Sequence, residues 1–446
     1  MATTYLTRTP SSTSTRKKLT FSAWCKRANI NSEGMLIHAL NNSSESDGLR
    51  FYTDNSLNCI LSNGNDGSVT TNRKFTDPNA FYHIMWVVDT TQGTASDRIK
   101  LYVNGIQETS FSAASYPSQD FVMEGMFVSA KPMYIGTQLD GGSGSNYFGG
   151  VMSFVNIIDG TAYTPSSFGS TDSVTGQWKI NTSPSVTYGT NGSLILKNGN
   201  TITDQSGNSN NWTLAAGTLT NTEDCPSNNF ATWNKSIGYT DALTNGNTTV
   251  TRSASGWRGA FSSLPLPTTG KFYCEFKISS GSNLSDLRAG IADDSFDGSI
   301  DLQNRNQVNQ LGEQTNGISY TASNGNSSIN ASEASYGSAI STSNVLGMAV
   351  DMTNMKLYFS KDGVFQNSGD PTSGATGTGA LAIPATLGKY FVAVGVNTSA
   401  WHVNFGNGTF GTIDITDAGT PGSTPGEFEY DVPTGYQPLT TKGLNA

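Results

Sequence analysis

The stretch VLGMAVDMTNMKLYFSKDGVF (residues 345–365) decides the fold class of this chain. It contains three strand-like runs separated by turn signals at Thr353-Asn354 and Asp362-Gly363. Apolar runs joined by such short turns are typical of β-hairpins. The stretch therefore predicts three consecutive strands of an antiparallel meander.

Other segments repeat the period-two pattern of a β-strand. In KFYCEFKI (residues 271–278) one face carries Phe272, Cys274, Phe276 and Ile278, and the other carries Lys271, Tyr273, Glu275 and Lys277. This alternation predicts a strand buried on one face only. YHIMWVVD (residues 82–89) is apolar on both faces and predicts a central, fully covered strand. IKLYVNG (residues 99–105) alternates in the same way and predicts a hairpin turn at Asn104-Gly105, because both residues tolerate positive φ. Because helical periodicity is almost absent, we expect an all-β fold.

Composition agrees with that expectation and excludes several functions. The 446 residues include 49 glycines, and only 13% are charged. The net charge of −9, without a basic block, would repel phosphate backbones, so we expect no nucleic-acid partner. No apolar stretch approaches the roughly 20 residues of a membrane helix, and the first 18 residues lack a signal-peptide core. Because the four cysteines show no zinc-like spacing, we expect reduced thiols and synthesis in a reducing cytosol.

The chain divides at a polar, turn-rich region around residues 200–234, after which a second series of strands begins. We predict two tandem antiparallel β-sandwiches. Their expected limits are an N-terminal arm at 1–18, a first sandwich at 19–220, a linker at 221–238, and a second sandwich at 239–446 with a loop insertion at 407–426.

The first half resembles laminin-G-like, concanavalin-type jelly rolls. The resemblance depends on LTFSAWCKR (residues 19–27), on FYHIMWVVDTT with DRIKLYVNGIQ (81–91 and 97–107), and on MYIGTQLDGGSGSNYFGGVMSFVNIIDGTAYTPSSFG (133–169). The second half resembles SPRY domains through GKFYCEFKI (270–278), LRAGIADDSF (287–296), the meander quoted above, VNFG (403–406) and EFEYDVPTGYQPL (427–439).

The combination of the two halves resembles virion structural proteins of marine tailed phages. The resemblance implies a non-enzymatic protein on the particle surface, either a tail fibre or receptor-binding protein or a head-surface decoration. It implies virion localisation, other virion proteins as partners, a homo-oligomer, and contact with host surface polysaccharide. Arg16-Lys17-Lys18 is the one concentrated positive charge in the sequence, and it either pairs with an acidic partner surface or is solvated. The alternative class is a secreted bacterial glycan-binding adhesin or a polysaccharide-active enzyme.

Catalytic patterns are scarce in the sequence. Glucanases of the concanavalin type place carboxylates at alternate positions of one strand. The nearest pattern, Glu427-Phe428-Glu429-Tyr430-Asp431, falls in the SPRY-like edge and is interpreted as a solvated face. The three histidines, His38, His83 and His402, have no metal-ligand spacing and are interpreted as structural. We therefore expect no enzyme activity and no cofactor.

Two kinds of binding residue remain as candidates. Calcium prefers several oxygen ligands, and the laminin-G-like resemblance implies a calcium site to which Asp140 and Asp159 are the candidate ligands. The alternative is that these aspartates mark turns, as aspartates do throughout the chain. Four tyrosines lie in polar stretches predicted to be loops, where a ring can stack on a sugar: Tyr116, Tyr147, Tyr320 and Tyr336. The alternative for each tyrosine is local packing or a subunit contact.

Overall fold

The computed structural model describes residues 3–42, 45–140, 143–238, 242–279, 283–294, 311–312, 316–386, 388–416, 418–422 and 425–442. The chain separates into two compact units, residues 1–219 and 220–446. The all-β prediction is confirmed: β-strands dominate, and the described helical elements are 3₁₀ turns at Ser62–Gly64, Ala95–Asp97, Pro165–Ser167, Leu284–Asp286 and Pro371–Thr376.

The strands of the first unit follow one another along the chain with short turns between most of them. They are β1 (Tyr5–Arg8), β2 (Lys18–Arg27), β3 (Gly34–Asn42), β4 (Glu45–Phe51), β5 (Ser56–Leu61), β6 (Gly67–Lys74), β7 (Phe81–Asp89), β8 (Ile99–Val103), β9 (Ile106–Gln107), β10 (Phe111–Ser115), β11 (Met133–Ile135), β12 (Gln138–Asp140), β13 (Ser143–Ser145), β14 (Gly150–Asp159), β15 (Gly169–Thr171), β16 (Trp178–Ile180), β17 (Ser193–Ile195) and β18 (Thr213–Ala216).

Two antiparallel sheets enclose the core of the first unit. One has the order β10-β6-β5-β4-β3-β11-β1-β18, and the other has the order β17-β14-β2-β7-β8-β9. Strand β7 is covered on both faces, as predicted. Its Trp86 belongs to the main core, and its Met85 belongs to a second apolar cluster with Phe168 and Tyr188. The hairpin predicted at Asn104-Gly105 is confirmed, with φ of 49° and 78° at the two residues.

The N-terminal segment is part of the first unit, so the prediction of a separate arm at 1–18 is wrong. Strand β1 pairs with β11 on one side and with β18 on the other. Leu6 is buried because it faces the core. The basic cluster is paired within the unit: Lys17 contacts Asp120 at 3.0 Å, and Lys18 contacts Asp89 at 3.2 Å.

The second unit begins at residue 220, and its first strand begins at Trp233. Its strands are β19 (Trp233–Gly238), β20 (Ala242–Thr244), β21 (Thr249–Thr251), β22 (Arg258–Ser262), β23 (Lys271–Ile278), β24 (Leu287–Asp293), β25 (Ile318–Thr321), β26 (Asn326–Ile329), β27 (Ser332–Ser335), β28 (Val345–Asp351), β29 (Lys356–Lys361), β30 (Val364–Phe365), β31 (Leu381–Ala382), β32 (Tyr390–Val396), β33 (Ala400–Asn404), β34 (Thr409–Phe410), β35 (Ile413–Asp414) and β36 (Gln437–Pro438).

Two larger sheets also build the second unit. One has the order β19-β22-β32-β24-β25-β26-β27, and the other contains the path β20-β21-β33-β23-β28-β29-β30. The predicted meander is therefore confirmed as β28, β29 and β30. The main core between the sheets includes Phe276, Met348 and Trp401.

Two predicted boundaries of the second unit need correction. Residues 221–238 are not a free linker, because Trp233 is buried in the main core and Phe230 bridges to Thr440. The stretch 407–426 is not a simple surface loop either. It contains the β34-β35 hairpin, and its Phe410 packs with Val345 in a small apolar cluster.

Strand β23 is buried on both faces, and the prediction of one solvated face is wrong. Phe272 and Phe276 enter the main core as expected. On the other face Tyr273 is buried with Phe428, whose ring centroid lies 5.1 Å from that of Tyr273. The cover is the segment from Glu427 onward, which folds back over the sheet.

Candidate functional site

A surface groove lies in the second unit, between the turn before β30 and the segment that covers β23. Its volume is about 630 Å³, within the usual range of small-molecule sites. One wall is formed by Gly363, Phe365 and residues 369–372. The other is formed by Thr420 and residues 431–434. We call residues 427–434 the closing segment.

The β29-β30 turn positions the first wall. Gly363 has a φ of +77°, which glycine adopts without strain. A Cβ at this residue would lie 2.8 Å from Cδ1 of Tyr430, so the ring of the closing segment packs directly on the turn. Phe365 follows the turn and is half-buried, which leaves part of its ring on the groove.

Each wall presents one oriented aspartate. Oδ1 of Asp370 accepts hydrogen bonds from the backbone N and the Oγ1 of Thr372, at 2.8 and 2.6 Å. Oδ1 of Asp431 accepts from the backbone N of Thr420 at 2.6 Å. These bonds lower the pKa of both carboxyl groups. Both side chains stay exposed, so the groove carries two fixed, ionised acceptors at neutral pH.

Beneath the closing segment, a fully buried carboxylate holds the backbone in place. Glu275 Oε1 accepts from Tyr430 N at 2.9 Å and from the Tyr273 hydroxyl at 3.2 Å. Its Oε2 accepts from Glu429 N at 2.8 Å and from Asn404 Nδ2 at 3.3 Å. Burial raises the pKa of Glu275 to about 7 despite these four donors.

Sequence reasoning missed this groove. The acidic run from Glu427 was interpreted as a solvated strand face, but its Phe428 is fully buried and only Asp431 is exposed on the groove. The one available signal was Glu275, an acid on the strand face predicted to be solvated. Its partners Asn404, Glu429 and Tyr430 lie more than 120 residues away in sequence, so spacing alone does not reveal them.

Two of the four predicted tyrosines are core residues, which corrects the prediction that they lie in polar loops. Tyr320 belongs to β25 and is fully buried, and its hydroxyl donates to the carbonyl of Ser338. Tyr336 is buried beside it, and its hydroxyl accepts from Phe359 N. Neither ring is available to stack on a sugar.

The two tyrosines of the first unit, Tyr116 and Tyr147, are partly exposed. Tyr116 packs at the edge of the main core of its unit. Tyr147 lies 6.2 Å from the ring of Tyr5, in an aromatic group that also includes Tyr134.

Of the two predicted calcium ligands, only Asp159 has a described side chain, and it does not lie in an open oxygen cluster. Asp159 is buried, and its Oδ2 accepts from the backbone N and Nδ2 of Asn191, at 3.2 and 3.1 Å. The positive guanidinium of Arg8, which donates to the carbonyl of Asn191, interacts with the same carboxylate and disfavours a cation there. The side chain of Asp140 lies outside the described residues. Among the residues that are described, no three acidic, histidine or cysteine side chains form a metal-binding group.

The histidines and cysteines have structural surroundings. Nδ1 of His83 accepts from Trp178 Nε1 at 3.1 Å, and its other ring nitrogen bonds Ser22 Oγ at 2.9 Å. His402 bonds Thr249 Oγ1 at 2.8 Å, and His38 is fully buried. The four cysteines are free thiols, three of them buried. In the described part of the chain, no helix is both long and apolar enough to cross a membrane.

Comparisons with known proteins give one family match, within the first unit, and several similar solved structures. Residues 2–167 match the laminin G model described as the concanavalin A-like lectin/glucanases superfamily. A search of curated proteins gives no significant match. The solved SPRY domain of human HERC1 is 14% identical, with 38% of this chain and 96% of that chain covered and a TM-score of 0.29. A heptameric pentraxin from Limulus polyphemus is 16% identical, with 36% and 72% covered and a TM-score of 0.27.

A third similar structure is a Bacteroides ovatus protein to which carbohydrate binding has been provisionally assigned. It is 16% identical, with 49% of this chain and 58% of that chain covered and a TM-score of 0.33. The family match lies within the first unit, and a SPRY domain is among the solved structures that are similar to the chain.

Proposed function

We propose that the chain is a non-enzymatic, glycan-binding structural protein, and that the groove of the second unit is a surface on which it binds sugars. The observation that carries this proposal is the pairing of Asp370 and Asp431 across one groove, each held by its own local hydrogen bonds. Fixed acceptors of this kind bind sugar hydroxyls without first losing side-chain entropy.

The remaining lining suits the same ligand. The exposed Thr434 offers a hydroxyl that both donates and accepts hydrogen bonds, and the Thr372 hydroxyl, which donates to Asp370, can still accept one. Phe365 and Pro433 offer apolar surface for the C–H face of a pyranose ring. Because the described lining includes no lysine or arginine and both carboxylates are ionised, we expect neutral sugars to bind better than acidic ones.

We further propose that the chain is displayed on a tailed-phage particle as a homo-oligomer, with virion proteins and host polysaccharide as partners. This part of the proposal rests on the order of the sequence motifs. Mass spectrometry of purified particles tests it, followed by antibody labelling in the electron microscope to separate tail from head. Absence from particles would overturn this part and favour the secreted adhesin.

A glycan array with the full chain, followed by calorimetric titration of the best neutral oligosaccharide, tests the groove. We expect Asp431→Asn and Phe365→Ala each to weaken binding about tenfold, because a charged hydrogen bond or an apolar contact is worth about 1.5 kcal/mol. Asp97→Asn, an exposed carboxylate of the first unit, is the matched control and should bind normally. Unchanged affinity in both groove variants would contradict the assignment, and so would the absence of binding to any neutral glycan.

We also propose that binding needs no resident metal. An EDTA-treated sample should keep its affinity, and restoration of lost affinity by calcium would contradict this.

A further inference from the structure

The closing segment forms one wall of the groove and also covers the buried carboxyl group of Glu275. Its backbone N–H groups at Glu429 and Tyr430 donate to Glu275, and the next four residues, 431–434, line the groove. The same segment is anchored by Phe428, whose side chain is fully buried. A change at Glu275 therefore reaches the groove through one residue of backbone.

Glu275 has no cationic partner among the groups that face it. They are Tyr273 and Cys274 on its own strand, Asn404 on β33, and the Glu429-Tyr430 amides of the closing segment. On the closing segment itself, Glu427 and Glu429 add further negative charge, and Asp362 lies beside Tyr430. An ionised Glu275 is thus surrounded by hydrogen-bond donors but has no counter-ion, which makes its burial costly.

We propose that Glu275 regulates the groove: when it loses its proton, the closing segment opens more readily and the groove wall becomes less ordered. The regulatory part rests on the proposed function, because it concerns the affinity of the same groove. The opening step itself is a property of the fold alone.

The direction follows from proton linkage. In the closed state the pKa of Glu275 is raised to about 7, whereas the ordinary value, expected once the segment opens and water reaches the carboxyl, is 4.5. The closed state therefore binds the proton more tightly, and low pH favours it. The equilibrium constant for opening should rise about tenfold per pH unit between 4.5 and 7 and level off above 7.

Hydrogen exchange on the full chain measures this opening without any ligand. After correction for the intrinsic pH dependence of exchange, protection of the Glu429 and Tyr430 amides should fall about tenfold per pH unit from pH 5 to 7. Core amides of β28 should show no such slope. Protection at Glu429 and Tyr430 that does not vary with pH in the natural protein would overturn the inference.

Glu275→Gln separates the charge from the packing. The variant keeps one acceptor oxygen but cannot ionise, so its protection should be independent of pH. Glu429→Gln removes a carboxylate from the segment and should keep the slope of the natural protein. If Glu275→Gln does not fold, a carboxyl-carbon NMR titration of the natural protein decides, because a pKa near 4.5 for Glu275 would refute the inference.

The binding experiment has a separate outcome. With a neutral glycan that binds the groove, affinity should weaken from pH 5 to 7 in the natural protein and stay constant in Glu275→Gln. Failure to bind any glycan refutes the proposed function, but it does not affect the hydrogen-exchange test of segment opening. Binding without a pH-dependent exchange rate refutes the regulation alone.

Discussion

Asp47 is a second buried carboxylate, and replacing it should destabilise the first unit strongly. The side chain is fully buried on the core side of β4. Its Oδ1 accepts from Ser62 N at 3.1 Å, and its Oδ2 accepts from Gly125 N and Met126 N at 2.7 and 2.8 Å. Asp47 thus joins the sheet to two loops that are distant in sequence. In Asp47→Ala all three backbone donors lose their acceptor.

The size of the effect follows from these three bonds. A buried N–H without an acceptor costs roughly 2 kcal/mol, which gives about 6 kcal/mol for three. Removing the carboxyl also removes the cost of burying a polar group, which is roughly 2 kcal/mol and offsets part of that loss. The expected loss is about 4 kcal/mol. For a unit of this length, it corresponds to a decrease in Tm of about 12 °C.

Differential scanning calorimetry of the full chain measures the loss, and the transition of the second unit serves as internal reference. Asp47→Asn is the matched control. Its carbonyl oxygen, placed where Oδ2 lies, keeps the bonds to Gly125 and Met126, so only the bond to Ser62 is lost. We expect a loss of about 1–2 kcal/mol for this variant. A loss below about 1 kcal/mol in Asp47→Ala, or equal losses in both variants, would refute the reasoning.

Three further outcomes follow from single residues. Gly363→Ala should destabilise the second unit by about 1–3 kcal/mol in urea titrations, because of the positive φ and the contact with Tyr430; a neutral result would contradict the described turn. Burial lowers the pKa of His83 from 6.5 to about 3, so its contribution to stability is present above pH 6.5 and is lost as the pH falls toward 3, by up to about 1.4 kcal/mol per unit. In His83→Phe that acid-dependent loss should be smaller, and an unchanged pH profile would count against the assignment. Tyr320→Phe should cost about 1 kcal/mol through the lost bond to Ser338 and leave glycan affinity unchanged; weaker binding would mean that this ring reaches the ligand.

The sequence predicted elements whose signal is local. The period-two runs, the Asn104-Gly105 turn and the meander of residues 345–365 are confirmed, because neighbouring residues determine strand and turn geometry. The covered strand β7 was also predictable, since both of its faces are apolar. The prediction for strand β23 was correct for its apolar face and wrong for the face that carries Tyr273 and Glu275. Both residues are compatible with solvent, and they are buried only because a segment about 150 residues later in the chain packs over them.

The candidate site could not be predicted from the sequence for the same reason. Tyr320 and Tyr336 lie among polar residues in sequence, yet both are buried in the core. For Tyr320, the register of β25 against β24 decides the orientation of the side chain. Tyr336 directly follows β27 and packs against Tyr320. Asp370 and Asp431 are 61 positions apart, and each looks like an ordinary turn residue. Their placement across one groove depends on tertiary packing.

The pairing of β1 with β18 has a consequence for how this protein is made. Tyr5 lies opposite Ala216, so the first strand finds one of its two neighbours only after more than two hundred further residues have left the ribosome. Until then the nascent first unit has an unpaired sheet edge at β1. The pairing of β1 with β18 is therefore the last step in the assembly of this sheet. Because β1 and β18 are paired, the two ends of the unit lie close together. The unit can therefore be inserted into a surface loop of another protein without distorting either fold.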